Sequence, residues 1–168
     1  RPAADEHDPY YTKYIERVPD GDLVAIFRDQ LVDTSALLRS VPAERANFAY
    51  APGKWSVKQV VGHVADTERV MAYRALRFAR NDSTELAGFD ENAFVRNGNF
   101  ADRTLGGLVE ELQVVRSATI HLAKHLDVES LERRGSANGS PVSVRALLYI
   151  IAGHERHHAL LLRERYLQ

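Results

Sequence analysis

The sequence predicts an all-α domain built as a four-helix bundle. Four segments of about 20 residues each carry apolar residues at steps of three and four, the period of a helix with one buried face. Pro, Gly and Asn-Asp-Ser runs separate them, and no stretch shows the period-two alternation of a strand. The length of 168 residues fits one domain with a full core.

Residues 1–20 are polar, with Pro2, Pro9 and Pro19 among Tyr10, Tyr11 and Tyr14, and read as an arm packing on a domain of residues 21–168. Asp20 or Asp22 can cap a first helix over 21–41, with Leu23, Phe27, Leu31, Thr34, Leu38 and Val41 on its stripe and Pro42 as its stop. A loop over 42–55 holds Phe48, Tyr50 and Trp55. Ser56-Val57-Lys58-Gln59 has the form of a capping box and opens a second helix over 57–80, striped by Val57, Val60, Val64, Thr67, Met71 and Phe78. Asn81 to Thr84 ends it, and a break over 82–103 contains one short helix at Glu91 to Val95. That break is long enough to cross the bundle end, so simple up-down order is not required. Thr104 caps a third helix over 105–126, whose stripe of Leu105, Leu108, Leu112, Val115, Thr119, Leu122 and Leu126 is close to a heptad. Gly135 to Pro141 is expected to be a break without strands. Ser143 then caps a fourth helix to about Tyr166.

Basic and acidic residues number 22 and 23, so nothing favours nucleic acid or an anionic membrane as partner. With no cysteine there is no disulfide, thiolate nucleophile or sulfur-bound zinc. No apolar run is long enough to span a membrane. The start, Arg1-Pro2-Ala3-Ala4, does not read as a signal peptide, and a cytoplasmic location is expected.

The seven histidines are the compositional oddity. On the fourth helix Leu147, Ile151, His154, His158, Leu161 and Arg165 form one stripe, so two histidines occupy core positions. Four residues apart, their rings project from one face and can reach one ion. His63, beside Val60 and Val64 at the edge of the second helix's stripe, can supply a third ligand. Three imidazoles plus an open position is the pattern of a catalytic site. It suits zinc, nickel, copper or iron(II) rather than calcium or magnesium. Hydrogen-bonded core histidines are the competing reading. His121 and His125 repeat the spacing but fall off the third helix's stripe and read as surface. His157 reads as a rim residue and His7 as solvated. Asp66 could accept from His63 or belong to a solvated face. Asp90 and Glu91, in Phe89-Asp90-Glu91-Asn92, could line a pocket at the bundle end. Trp55 reads as a hydrophobic staple. Gly62 and Gly153 each precede a proposed ligand, and mid-helix glycine costs about 1 kcal/mol, so a close contact should compensate.

The segment from Trp55-Ser56-Val57-Lys58-Gln59 through Gly62-His63 to Asp66-Thr67-Glu68 resembles the second-helix signature of the DinB/YfiT-like superfamily. Gly153-His154-Glu155-Arg156-His157-His158 resembles its last-helix signature, and the likeness covers about residues 20–168. The resemblance implies a four-helix bundle with a crossed connection, frequent homodimers, and one divalent ion, nickel or zinc, on His63, His154 and His158. It further implies a small-molecule substrate and an activity such as a metal-dependent thiol S-transferase, in which a low-molecular-weight thiol is a co-substrate. Relatives include bacillithiol, mycothiol or glutathione transferases and a mycothiol-dependent maleylpyruvate isomerase. A metal-dependent hydrolase, or a non-catalytic metal-binding or dimerisation bundle closed by Glu68 or a residue of 82–103, are the alternatives.

Overall fold

A computed structural model describes residues 1–168. After two short 3₁₀ turns the chain forms α1 (Thr12–Ile15) and then the first bundle helix, α2 (Leu23–Arg39). Asp22 caps α2 by accepting from the Val24 and Ala25 amides. The second bundle helix is α3 (Val57–Ala79), followed by the short α4 (Glu91–Asn97) and the third bundle helix α5 (Leu105–Ala123). A one-turn helix α6 (Val128–Glu132), strands β1 (Arg134–Ala137) and β2 (Ser140–Ser143), and α7 (Val144–Leu161) complete the chain, with a π turn over Leu162–Tyr166.

α3 packs on α5 and α7, and α2 packs on the same two helices from the other side. Consecutive helices α2 and α3 are therefore diagonal, as are α5 and α7. Two connections make these crossings, the 40–56 loop and the 124–143 segment. The 82–103 break, expected to be the crossing one, joins the neighbours α3 and α5 instead. Its helix α4 lies on α3. The 40–56 loop can cross because its aromatics anchor it. Phe48 and Tyr50 pack edge-on to Tyr166 at ring separations of 6.2 and 5.0 Å, and Tyr166 donates its hydroxyl to the Trp55 carbonyl at 2.7 Å.

The 134–143 segment is not a plain break. β1 and β2 pair antiparallel, with Ala137 opposite Ser140 across a two-residue turn. Asn138 and Gly139 have φ of 55° and 74°, the left-handed backbone that a two-residue hairpin demands and that Asn-Gly tolerates best. Leu86 joins the hairpin edge, donating its amide to the Ser136 carbonyl and accepting from the Asn138 amide, both at 2.9 Å. Gly135 and Pro141 weaken the strand pattern, but the Asn-Gly pair carried the signal.

The arm is folded onto the bundle. Arg1 donates to the carbonyls of Ile15 and Val18 at 2.7 and 2.6 Å, and Glu6 accepts from Ser143 Oγ and Arg145 Nη2, both at 2.7 Å. His7, read as solvated, is 8% exposed. Gly153 explains how α1 lies so close on α7, since a Cβ there would stand 1.9 Å from the Tyr14 carbonyl oxygen. At Gly62 the Phe100 ring fills the space a side chain would take.

The core divides in two. Phe27, Met71, Phe78, Ile120 and Leu147 belong to one apolar half, and Leu38, Val57, Val64, Leu108 and Leu162 to the other. Each such buried side chain contributes roughly 1.5–3 kcal/mol. Between the halves lie the buried polar side chains of Gln30, Thr34, His63, Glu68, Arg116, His154, Glu155 and His158.

Candidate metal centre

Two well-capped helices bring the polar layer together. Ser56 Oγ accepts from the Gln59 amide while Gln59 Oε1 accepts from the Ser56 amide at 2.8 Å, fixing where α3 starts and turning His63 inward. Ser143 Oγ accepts from the Ala146 amide at 2.9 Å and does the same for α7, whose His154 and His158 share one face. His63 Nε2 lies 3.0 Å from His154 Nε2, and His158 Nε2 lies 3.1 Å from the same atom. One ring nitrogen from each of the three falls within 4.8 Å of the others, and all three residues are buried.

Hydrogen bonding alone does not satisfy this arrangement. A neutral imidazole nitrogen holds either one proton or one lone pair, so His154 Nε2 cannot bond well to both neighbours. His158 Nδ1 is also buried without a partner. A transition-metal ion bound to nitrogens at about 2.0–2.1 Å would hold neighbouring ligand atoms roughly 3.0–3.4 Å apart, and the observed separations fit that spacing. The donor set of three imidazoles with no thiolate fits a transition-metal ion such as zinc, nickel, copper or iron(II).

Aromatic rings wall the cluster. The Trp55 ring lies 4.6 Å from His63 at 49°, and Tyr14 meets His154 edge-on at 5.4 Å. A cavity of about 70 Å³ opens over His63 and His154, bounded by Tyr10, Tyr11, Tyr14, Met71, Phe89 and Glu91. Burial raises the Tyr11 and Tyr14 hydroxyl pKa values, so both stay protonated and can donate. By sequence Trp55 reads only as a staple and the three tyrosines as part of an arm. Nothing in their spacing marks them, because they reach the site through a loop anchor and through Gly153.

The other candidates divide. Glu91 lines the cavity, whereas Asp90 caps α4 by accepting from the Ala93 amide at 3.0 Å. Asp66 is drawn to Arg69 at 3.2 Å, and the hydrogen-bond partner of His63 Nδ1 is Thr67 Oγ1, at 3.5 Å. Glu68, considered as a fourth ligand, is instead held by Arg116 in two hydrogen bonds of 2.8 and 2.9 Å. Arg116 also meets Glu155 at 2.6 Å, though the approach is poorly aligned and leaves Nη1 and Glu155 Oε2 without a proper hydrogen bond. Burial raises the Glu155 carboxyl pKa, and the Arg116 guanidinium opposes that shift. His157 is half-buried against Tyr14, and His121 and His125 are exposed on the end of α5 and just beyond it.

Burial lowers the His63 pKa to about 4. Burial, followed by the repulsion of neighbouring imidazoles, puts His154 and His158 well below 6.5. Neutral rings with free lone pairs are what a metal requires. Because the folded pKa values are depressed, the unfolded chain binds more protons below pH 6.5. The metal-free protein should therefore lose stability as pH falls from about 6.5 toward 4, His63 alone accounting for on the order of 3 kcal/mol. Thermal melts of chelator-treated protein at pH 7.5, 5.5 and 4.5 test this, and a melting temperature flat across the series would contradict neutral burial.

The DinB superfamily matches residues 26–162 of the chain. A protein of Oceanobacillus iheyensis, named provisionally as a metal-dependent hydrolase, is 28% identical over 126 residues, covering 72% of this chain and 70% of its own. YfiT from Bacillus subtilis, described as a probable metal-dependent hydrolase with an unusual four-helix bundle topology, superposes with a TM-score of 0.77 at 17% identity. That match covers 98% of this chain and 90% of YfiT. A mycothiol-dependent maleylpyruvate isomerase gives 0.69 at 13% identity, over 87% of this chain and 61% of the isomerase. The DinB-like protein YjoA of Bacillus subtilis gives 0.63 at 20% identity, over 85% and 87% of the two chains. At these identities the structural matches show the bundle fold.

Proposed function

The chain belongs to the DinB superfamily, and on that premise we propose that it is a metal-dependent enzyme, a thiol S-transferase joining a small thiol to an electrophile. The observation that carries the reading is the convergence of three buried imidazoles beneath an aromatic cavity. His63, His154 and His158 would hold one divalent ion, zinc or nickel. Such an ion lowers the pKa of a thiol or water that reaches it.

The surrounding residues favour thiol over water. Hydrolysis calls for a carboxylate free to take a proton from water. Glu68 is bound by Arg116 and Glu155 meets the same guanidinium, which leaves Glu91 as the one carboxylate on the cavity wall. A thiol has the lower intrinsic pKa and needs no such base. Tyr10, Tyr11, Tyr14 and Phe89 line the cavity with aromatic rings that suit an apolar electrophile. The Tyr11 and Tyr14 hydroxyls can donate to a developing negative charge on it. Hydrolysis remains the second reading, supported by the names of two relatives, with Glu91 as the carboxylate on the cavity wall.

The test is a paired assay on untagged protein loaded with zinc or nickel. One arm follows conjugation of bacillithiol, mycothiol or glutathione to 1-chloro-2,4-dinitrobenzene, where the thiolate forms the C–S bond and chloride leaves. The other follows hydrolysis of 4-nitrophenyl acetate without thiol. Thiol-dependent turnover that chelation removes is expected. Metal-dependent hydrolysis with no thiol turnover would replace the transferase reading by the hydrolase one.

A further inference from the structure

A groove unrelated to the histidines lies between the end of α1, α2 and α7. Its volume is about 340 Å³, against about 70 Å³ for the cavity over the triad. The larger value falls in the roughly 300–1,000 Å³ range of small-molecule sites. Arg156 and Leu160 on its wall stand roughly 200° and 240° round α7 from His154, so the groove opens on the opposite side of that helix.

We propose that this groove binds a small organic acid, a carboxylate or phosphate compound that also carries a hydroxyl or amine donor. Arg17, Arg156 and Arg163 line it, with Asp33 as the one acid. Several arginines elsewhere are closely paired, as in Arg69 with Glu111 and Arg145 with Glu6, while Arg28, Arg39 and Arg80 stand singly on the surface. None of the three groove arginines makes an ion pair or a side-chain hydrogen bond. Three unpaired guanidinium groups round one concavity repel one another, and their planar forks match the two oxygens of a carboxylate or phosphate.

Gln30 is the independent observation. It lines the groove yet is only 5% exposed. Its Nε2 donates to the Ala152 carbonyl at 2.9 Å, which fixes the amide, and its Oε1 is buried with no partner. Buried acceptors in native proteins almost always find a donor. An anion alone would not supply one, whereas a hydroxy or amino acid would once a small turn of the Gln30 side chain brings Oε1 to the groove surface, and Asp33 could share that donor. The occupant therefore combines an acidic group for the arginines with a donor for Gln30.

The proposal is independent of the metal. The full-length protein, freed of metal by dialysis against chelator, is titrated calorimetrically with inorganic phosphate, succinate and tartrate in 100 mM salt. Tartrate and succinate differ only in the hydroxyl donors. Tartrate should bind several-fold more tightly than succinate, and phosphate binding would add phosphate esters to the acceptable ligands. Arg156→Ala with Arg163→Ala should weaken tartrate by at least about tenfold. Arg80→Ala, an exposed arginine elsewhere, should not, and His154→Ala should leave tartrate binding unchanged even though it disables the metal centre. Gln30→Leu should bring tartrate down to the level of succinate. Absence of binding by all three probes, or equal weakening by Arg80→Ala, would overturn the site. Equal affinity of the native chain for tartrate and succinate would overturn the role of Gln30.

Discussion

His154→Ala is expected to abolish stoichiometric metal binding. His154 Nε2 is the hub of the cluster, 3.0 Å from the His63 nitrogen and 3.1 Å from that of His158. Without it the remaining two rings come from different helices with no third donor between them. Changing a residue that merely orients a ligand already costs about 10–100-fold in metal affinity, so losing a ligand should exceed 100-fold. The loss also reads out as stability. An ion present at about 1,000 times its Kd stabilises the folded state by roughly 4 kcal/mol. For a domain of this size that is roughly 8–16 °C of melting temperature at about 2–4 °C per kcal/mol. Native protein should gain that much on addition of zinc or nickel, and His154→Ala should gain nothing. His63→Ala and His158→Ala should behave alike, while His121→Ala, on the exposed end of α5, should bind and melt as the native chain does. The metal-free His154→Ala protein should also lose part of the acid sensitivity below pH 6.5, because one buried neutral imidazole is gone. A full complement of metal in His154→Ala by elemental analysis would end the assignment.

The same arrangement shows what the sequence made legible. The four helices were readable because their stripes are long, and because Asp22, Ser56, Thr104 and Ser143 each sit at a helix start and accept there. The pairing of His154 with His158 was readable because α7 offers both rings from one face. What it could not give was order in space. α2 and α3 are consecutive yet diagonal, and the 40–56 loop that makes the crossing is anchored by Phe48 and Tyr50 on Tyr166, a contact between distant segments that no local pattern marks. The cavity wall was hidden for a related reason. Tyr10, Tyr11 and Tyr14 belong to no long periodic element, and their position depends on the one place, Gly153, where α7 admits another backbone. The charged core pair is legible too, although Glu68 reads first as a possible metal ligand. Arg116 stands between Leu112 and Thr119 at steps of four and three, and Glu68 stands between Val64 and Met71 in the same way. A cation and an acid at core positions of two different helices predict each other, since neither charge can be buried alone.

That mutual dependence sets the second large effect. Arg116→Ala is expected to destabilise the protein by about 3–5 kcal/mol, the usual cost of breaking a buried ion pair by removing one partner. The side chains of Arg116 and Glu68 are 2% and 1% exposed, so water cannot take over when the guanidinium is removed. Glu155 can relieve its share by holding a proton, as its raised pKa implies, but Glu68 loses both of its hydrogen bonds at once. The Phe27 ring, 4.7 Å from the guanidinium carbon, loses its cation as well and is left facing a void. At about 2–4 °C per kcal/mol the melting temperature should fall by roughly 6–20 °C. Arg69→Ala removes an exposed arginine from two ion pairs and should cost no more than about 1 kcal/mol. Converting the acid together with the base, as Arg116→Met with Glu68→Met, should recover much of the loss, because the penalty lies in the stranded charge rather than in the absent attraction. Since Arg116 ties Glu68 on α3 to Glu155 beside His154 on α7, it also holds the two ligand-bearing helices in register. The single variant should therefore bind metal about 10–100-fold more weakly than the native chain where both are folded. Arg116→Ala melting within about 2 °C of the native protein would show that the buried charges are reached by water, and would remove both expectations together.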